Sequence, residues 1–149
     1  MARVERIWLK RAHRGPMDEV PMARLVEGKG LEDSVGRSRR RQVTLLEVER
    51  WQDALDIIGA AADPKGRRAN ILLSGMRLER TRGRILAIGE TRLAIGGETT
   101  PCERMDELVP GLQNAMAPAW RGGAFAQVLR GGIIRAGDEP RWEDPAESA

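Results

Sequence analysis

Aromatic residues are scarce in this chain. It has four Trp, one Phe and no Tyr in 149 residues. The core must therefore be built from Leu, Ile, Val, Met and Ala. Few side chains remain on which unpaired bases could stack, and no nucleic-acid motif accompanies the net charge of +3, so nucleic acid is not an expected partner. Cysteine and histidine occur once each, as Cys102 and His13. That excludes an internal disulfide and a self-contained zinc site of the four-ligand Cys/His type. No apolar run approaches the ~20 residues of a membrane span, so no membrane association is expected. The N-terminal Met1-Ala2-Arg3-Val4-Glu5 is charged and leads straight into a strand-like segment, so no signal peptide is expected and a cytoplasmic protein is.

Hydrophobic residues make up 41% and charged residues 32%, the balance of a globular chain. Seventeen Gly and eight Pro point to many turns, hence to strands rather than a helical bundle. Val4–Lys10 reads as a first strand with apolar residues on both faces. Residues 11–21 hold Gly15-Pro16 and read as a loop, with His13 assigned no role. A short strand over Val20–Val26 is interrupted by Pro21. Gln42–Leu46 is a strand. Residues 47–58 form the clearest helix, with Val48, Trp51, Leu55 and Ile58 on one face and Gly59 as its stop. Ile71–Gly75 reads as a buried strand. Arg84–Ile88 and Arg92–Ile95 form a hairpin through a three-residue loop, Gly89-Glu90-Thr91. Ala124–Arg130 is a strand, and Ile133-Ile134 a short return strand. Trp142 closes the fold, and residues 143–149 form a polar, frayed tail. Seven to nine short strands and two or three helices predict a mainly β (α+β) domain, a closed or partly closed barrel.

The chemistry centres on Thr99-Thr100-Pro101-Cys102-Glu103. Thr100 and Glu103 have capping-box spacing, and Pro101 suits the first helical position, so Cys102 is predicted second in a helix. There the unpaired N–H groups and the helix dipole favour a thiolate, a nucleophile and a soft metal ligand. The competing reading is a small buried residue. Arg68 and Asn70 stand two apart, so an extended chain points both to one face. They could grip a phosphate or a polar heterocycle, or satisfy backbone groups at a strand end. In Arg121-Gly122-Gly123 the glycines allow close approach to a ligand or another chain, or form a tight turn. Arg37, Arg39, Arg40 and Arg41 make a basic cluster, read as a solvated loop or as an anion-binding arm.

Arg68-x-Asn70, Pro101-Cys102, Arg121-Gly122-Gly123 and Gly137-Asp138 occur in that order. With the Arg41–Leu46 strand and the Gly83–Gly89 hairpin lead, the set resembles the molybdenum cofactor sulfurase C-terminal (MOSC) domain over Val4 to Trp142. The resemblance implies a single MOSC-type β-barrel over residues 1–142, with 143–149 as a tail. It implies that Cys102 matches the family's characteristic cysteine, which carries sulfur in some members and ligates molybdenum in others. Arg68, Asn70 and Arg121 take a cofactor-facing role. The implied cofactor is the molybdenum cofactor, a phosphorylated pterin, and the implied partner a cysteine desulfurase or a molybdoenzyme. Pyridoxal phosphate would sit only on the partner desulfurase, because the 149 residues contain no desulfurase portion. The implied activity is sulfur transfer through a Cys102 persulfide, or service as a subunit of a molybdenum-dependent reductase. The alternative is a non-enzymatic anion- or partner-binding module with a structural cysteine. One departure is plain. Many members have Gly-Asp-Arg-His after the Gly-Leu turn, whereas Gly30-Leu31 is followed here by Glu32-Asp33-Ser34-Val35. Cys102 is expected to be reachable from solvent, in one cleft with Arg68 and Asn70.

Overall fold

Period-two alternation gives several strands of this chain two buried faces. In β5 (Val43–Glu47), Leu45 and Leu46 are both fully buried, in different cores. In β6 (Ile71–Ser74), Ile71 and Leu73 enter the first core and Leu72 the second. In β1 (Arg3–Lys10), Val4, Ile7 and Leu9 face the first and Trp8 the second. Such strands need cover on both sides, and the rest of the chain supplies it. The computed structural model describes residues 1–143.

The remaining strands are β2 (Met17–Val20), β3 (Met22–Val26), β4 (Gly30–Leu31), β7 (Ile85–Ile88), β8 (Thr91–Glu98), β9 (Ala124–Arg130), β10 (Gly132–Arg135) and β11 (Pro140–Trp142). Eight strands form one sheet in the order β11-β7-β8-β9-β5-β6-β1-β2, and β10-β3-β4 form a second. The fold is mainly β with three helices, α1 (Val48–Ile58), α2 (Arg104–Leu108) and α3 (Leu112–Met116). The first core gathers Leu45, Ile71, Leu93 and Val128 of the large sheet with Leu25, Leu31 and Ile134 of the small one. The second lies between the outer face of β1, β5 and β6 and the helices, through Trp51, Leu55, Met105, Leu112 and Met116.

The large sheet does not close on itself, so the expected barrel is only partly closed. Its edge strands are β2 and β11. Each continues into the small sheet, β2 into β3 across Pro21 and β11 back into β10 across the turn at 136–139. The β3–β10 ladder then links the two edges, with Ile134 opposite Ala23. β10 was expected to return along β9 but pairs with β3 instead, and Gly131 permits it: a Cβ there would stand 2.4 Å from the Leu25 carbonyl oxygen.

Helix α1 follows its pattern, and Gly59 ends it in the left-handed region at φ 63°. Strand β2 departs from expectation. Gly15-Pro16 marks residues 11–21 as a loop, yet Met17–Val20 forms a strand in which Asp18 and Glu19 break any apolar alternation. It pairs with β1, Ile7 opposite Val20, and Arg6–Glu19 and Arg11–Asp18 ion pairs, each at 2.8 Å, cover its polar edge. The β7–β8 hairpin is tighter than expected. Ile88 pairs directly with Thr91, leaving the two-residue loop Gly89-Glu90, and the Thr91 hydroxyl donates to the Ile88 carbonyl at 2.6 Å. Glu143, expected in the frayed tail, is held instead: its N–H donates to Ile85 and its carboxylate meets Arg92 at 3.3 Å. The rest of that tail lies outside the described residues.

Glu47 ends β5 with its side chain 1% exposed. One carboxylate oxygen accepts from the Leu78 N–H at 3.2 Å; the other has no hydrogen bond and faces Arg50 at 3.6 Å. Burial pushes this carboxyl up to about 7, against the downward pull of the Leu78 N–H and Arg50. The protonated form is thus favoured in the fold. Stability from this group is fully present below its ordinary value near 4.5 and is lost as pH rises through about 7. The difference is about 3 kcal/mol. Urea titrations of the native chain and Glu47→Gln across this window test it. The native chain should lose stability relative to the variant as pH rises, and parallel pH profiles would refute the assignment.

Candidate functional site

Five neighbouring strands, β8, β9, β5, β6 and β1, set the site. β5 and β6 are parallel and the other neighbours antiparallel. By register the starts of β5 and β6 lie with the finish of β1, while the finish of β8 and the start of β9 come in opposite Leu45, farther along β5, and the segments at these termini meet around one space. The loops there enclose a cleft of about 480 Å³. Lys10, Arg41, Arg67, Arg68 and Arg104 line it with Thr44, Thr99, Thr100, Met105 and Cys102, and no carboxylate does.

The wall before β6 is a single 3-10 turn, Pro64–Arg67. Asp63 caps it by accepting from the Lys65 N–H at 2.9 Å, and Arg6 binds the same carboxylate at 2.9 Å. The turn delivers Arg67 across the cleft. Its Nε donates to the Gly122 carbonyl and its Nη2 to the Thr99 carbonyl, each at 3.0 Å. Burial draws this guanidinium's pKa down, Cys102 pulls it up, and Arg41 draws it down again. Gly122 must lack a side chain here, since a Cβ would stand 2.3 Å from the Thr99 carbonyl oxygen. Of the readings open for this glycine pair, the close approach is made to the chain's own backbone.

Arg68 follows in the left-handed region at φ 65°, so Arg68 and Asn70 do not share the face of an extended strand as expected. Arg68 donates through Nη1 to the Gly15 carbonyl. Its Nε and Nη2 are buried and have no hydrogen-bond partner. These two N–H groups form one edge of the guanidinium fork, the edge that takes an oxyanion in bidentate fashion. Burial, then Arg104, lower the Arg68 pKa.

Asn70 does not line this cleft. Its Oδ1 accepts from the Thr44 N–H at 3.0 Å, and its Nδ2 donates to the Trp8 carbonyl at 3.3 Å. It clips β1 to β5 at the entry to β6, the backbone-satisfying alternative. Arg121 also turns away. Its Nη1 donates to the Ala115 carbonyl at 2.9 Å, tying α3 to the next turn. The Arg121-Gly122-Gly123 motif and the resemblance pointed to Arg121, while the cleft takes Arg67, the residue before Arg68. The signal for Arg67 was a second arginine beside Arg68, just after a Pro-Lys-Gly turn and just before a buried strand.

Cys102 is exposed and lines the cleft. The predicted helix start is corrected, however. Helix α2 begins at Arg104, Glu103 occupies its cap position, and no side chain caps it. Thr99 and Thr100 are engaged otherwise. The Thr99 N–H donates to the Gly123 carbonyl at 2.9 Å, its hydroxyl to the Gly122 carbonyl at 2.7 Å, and Arg67 donates to the carbonyls of Thr99 and Thr100. This holds the segment as a continuation of β8, and Cys102 follows it outside the helix. Of the basic cluster, Arg41 reaches the cleft and sits over the Phe125 ring at 4.9 Å, whereas Arg39 is exposed and does not line the cleft. His13 is exposed in its loop. Among the described residues no group of three or more His, Cys, Asp or Glu side chains is placed to hold a metal by itself, and no helix is long and apolar enough to cross a membrane.

Fold and site together define a strand-rich domain with a basic cleft and a cysteine on its wall. The family model of the MOSC domain matches residues 32–141, and the chain belongs to that family, which is associated with the molybdenum cofactor. No curated protein matches it in sequence. Among solved structures, the YuaD protein of Bacillus subtilis superposes with a TM-score of 0.82 at 19% identity over 93% of each chain. YiiM of Geobacillus stearothermophilus gives 0.77 at 15% identity, over 97% of this chain and 76% of that one. YiiM of Escherichia coli gives 0.68 at 16% identity, over 95% and 70%. At these identities the likeness is one of fold.

Asn70→Ala should lower stability by about 2 kcal/mol, because the Thr44 N–H and Trp8 carbonyl lose their partners. An unchanged urea midpoint would show that Asn70 is not the clip described.

Proposed function

We propose that this chain is a molybdenum-cofactor protein that receives the phosphorylated pterin in the basic cleft, with Cys102 as its sulfur ligand. The observation that carries this reading is the buried, partnerless Nε–Nη2 edge of Arg68 in a carboxylate-free cleft that also exposes Cys102. The Arg68 side chain is half-buried, and a phosphate oxyanion would complete the two hydrogen bonds that its Nε–Nη2 edge leaves unmade. Lys10, Arg41 and Arg104 add positive charge around the same volume. The lone thiol suits a soft metal whose other ligands come from the pterin. The residues present thus fit the group. When bound, the cofactor supplies the redox chemistry. The chain's own residues bind and orient: Arg68 takes the phosphate, Arg67 fixes the two walls, and Cys102 presents its Sγ from the β8 continuation. Electrons would come from the partner components of a molybdenum-dependent reductase.

The exposure of Cys102 favours a second reading, sulfur carriage. Its thiolate would attack the terminal sulfur of a persulfide on a separate cysteine desulfurase. A new S–S bond forms at Cys102, the donor's S–S bond breaks, and the donor cysteine leaves as thiolate. No outside oxidant is needed. Arg121 holds no place at the ligand in either version, and Asn70 spends its side chain on backbone groups of β1 and β5 at the wall of an adjoining cavity.

Purification from a host that makes the cofactor, followed by molybdenum and pterin analysis, tests the first reading. Mass spectrometry after incubation with a desulfurase and cysteine tests the second. Cys102→Ser should lose molybdenum and persulfide yet retain phosphate binding. A native protein that carries neither leaves an anion-binding module with a structural cysteine.

Arg68→Ala should weaken binding of a phosphorylated pterin by roughly ten- to a hundredfold, since charge-assisted hydrogen bonds contribute about 1.5–3 kcal/mol. Arg68→Lys should recover only part, because a point charge cannot reproduce the fork. Arg39→Ala should change little. An equal loss at Arg39 in equilibrium titrations would mean that diffuse positive charge, not a built site, holds the ligand.

A further inference from the structure

A second cavity of about 170 Å³ adjoins the main cleft, lined by Lys10, Gly36, Arg37, Arg41, Thr44 and Arg68 among others. Lys10, Arg41, Thr44 and Arg68 line both spaces, so the two share a wall. The smaller space also has cations and no carboxylate. Its two amides are already engaged. Asn70 clips β1 to β5, and Gln42 donates to the Arg39 carbonyl at 3.0 Å and accepts from the Val128 N–H at 2.8 Å. What remains to meet a ligand is positive charge.

The space is built rather than incidental. Arg37 is held by an Nη1 bond to the Leu31 carbonyl at 2.9 Å, a neutral acceptor that leaves its charge uncancelled. The loop comes down onto Lys10 at Gly36, whose φ is +77°, and a Cβ there would stand 3.3 Å from Lys10 Nζ. Among the described residues none of Lys10, Arg37, Arg41 and Arg68 makes an ion pair. Burial, with Arg68 and Arg104, draws the Lys10 pKa down, as expected where like charges gather without an anion.

The division of the lining decides the ligand. Arg104 and Cys102 line the main cleft only, and Arg37 the second cavity only. A single anion placed against one set leaves the other set without a counter-charge. We infer that the joined cavities take a ligand bearing two linked anionic groups, a diphosphate, one group in each space with Arg68 and Lys10 between them. This rests on the reading of the main cleft as an anion site and extends it to the class of ligand.

Calorimetric titration of the full chain with inorganic phosphate and inorganic pyrophosphate, at one ionic strength, tests it. The native protein should prefer pyrophosphate by at least about tenfold, the effect of one added charge-assisted contact. Arg37→Ala should remove most of that preference and leave phosphate affinity in place. Arg37→Gln, which keeps a donor for the Leu31 carbonyl, should do the same and serves if the alanine variant is unstable. Arg104→Ala should weaken both ligands alike, and Arg39→Ala neither. If Arg37→Gln weakens phosphate and pyrophosphate equally, or Arg39→Ala matches it, the two-anion ligand is refuted while the anion cleft stands. If neither anion binds in an Arg68-dependent way, the reading of the cleft itself falls, and this inference with it.

Discussion

The site depends on arginines that are held in place by carbonyl groups instead of carboxylates. Arg67 bridges the Gly122 and Thr99 carbonyls, Arg68 reaches the Gly15 carbonyl and Arg37 the Leu31 carbonyl. A carbonyl fixes a guanidinium's position through its dipole and leaves the full positive charge standing. A carboxylate would fix it equally well and cancel it. With neutral acceptors the same hydrogen bonds that close the walls also make the cleft attractive to anions. The Arg67 clamp works only because residue 122 is glycine, so the absence of one Cβ carries both geometry and electrostatics.

Several acidic residues are engaged elsewhere. Glu19 and Asp63 take Arg6, Asp18 takes Arg11, Asp53 takes Arg50, Glu79 takes Arg77 and Glu143 takes Arg92. Most of these pairs lie on strand edges, helix α1 and surface turns, where exposure makes each worth little on its own, Arg92–Glu143 being the more buried one. Their effect is one of distribution. A net charge of only +3 becomes a local excess, because the cations at the end of β1, β5 and β6 have no acid beside them. Composition therefore understated the electrostatics of the site.

Features governed by local chemistry were legible in the sequence. The face of α1 and its Gly59 stop, strands β1 and β9, and the β7–β8 hairpin follow from periodicity and turn residues. The resemblance also led to Arg68 and Cys102, which share the cleft. What failed depended on partners distant in sequence. The Thr100–Glu103 capping pattern lost to the Arg67 and Gly122–Gly123 bonds that hold Thr99 and Thr100 extended. Strand β2 had no apolar alternation because cross-strand ion pairs cover it. Asn70 looked like a ligand because an amide two residues from an arginine reads the same whether it meets a pterin or a backbone. Lys10 and Arg104 were missed because solitary basic residues at strand and helix ends leave no local signature, and Arg67 was passed over because the Arg68-x-Asn70 pair beside it drew the reading.

Moving Cys102 out of the helix changes what positions the thiol. A cap would have tied it to the orientation of α2. Instead it hangs from the continuation of β8, and that continuation is pinned by Arg67 on one side and by Gly122–Gly123 on the other. The charge beside the thiol is then a side chain's: burial lowers the Arg67 pKa, and Cys102 pulls it up. Both proposed chemistries call for a sulfur at a set distance from a fixed oxyanion subsite. One clamp would serve that purpose, because Arg67 holds the sulfur's segment and immediately precedes Arg68, whose unpartnered edge is the proposed subsite. Adjacent residues of one turn thereby couple the anion's position to the sulfur's, and a displacement of that turn would disturb both together.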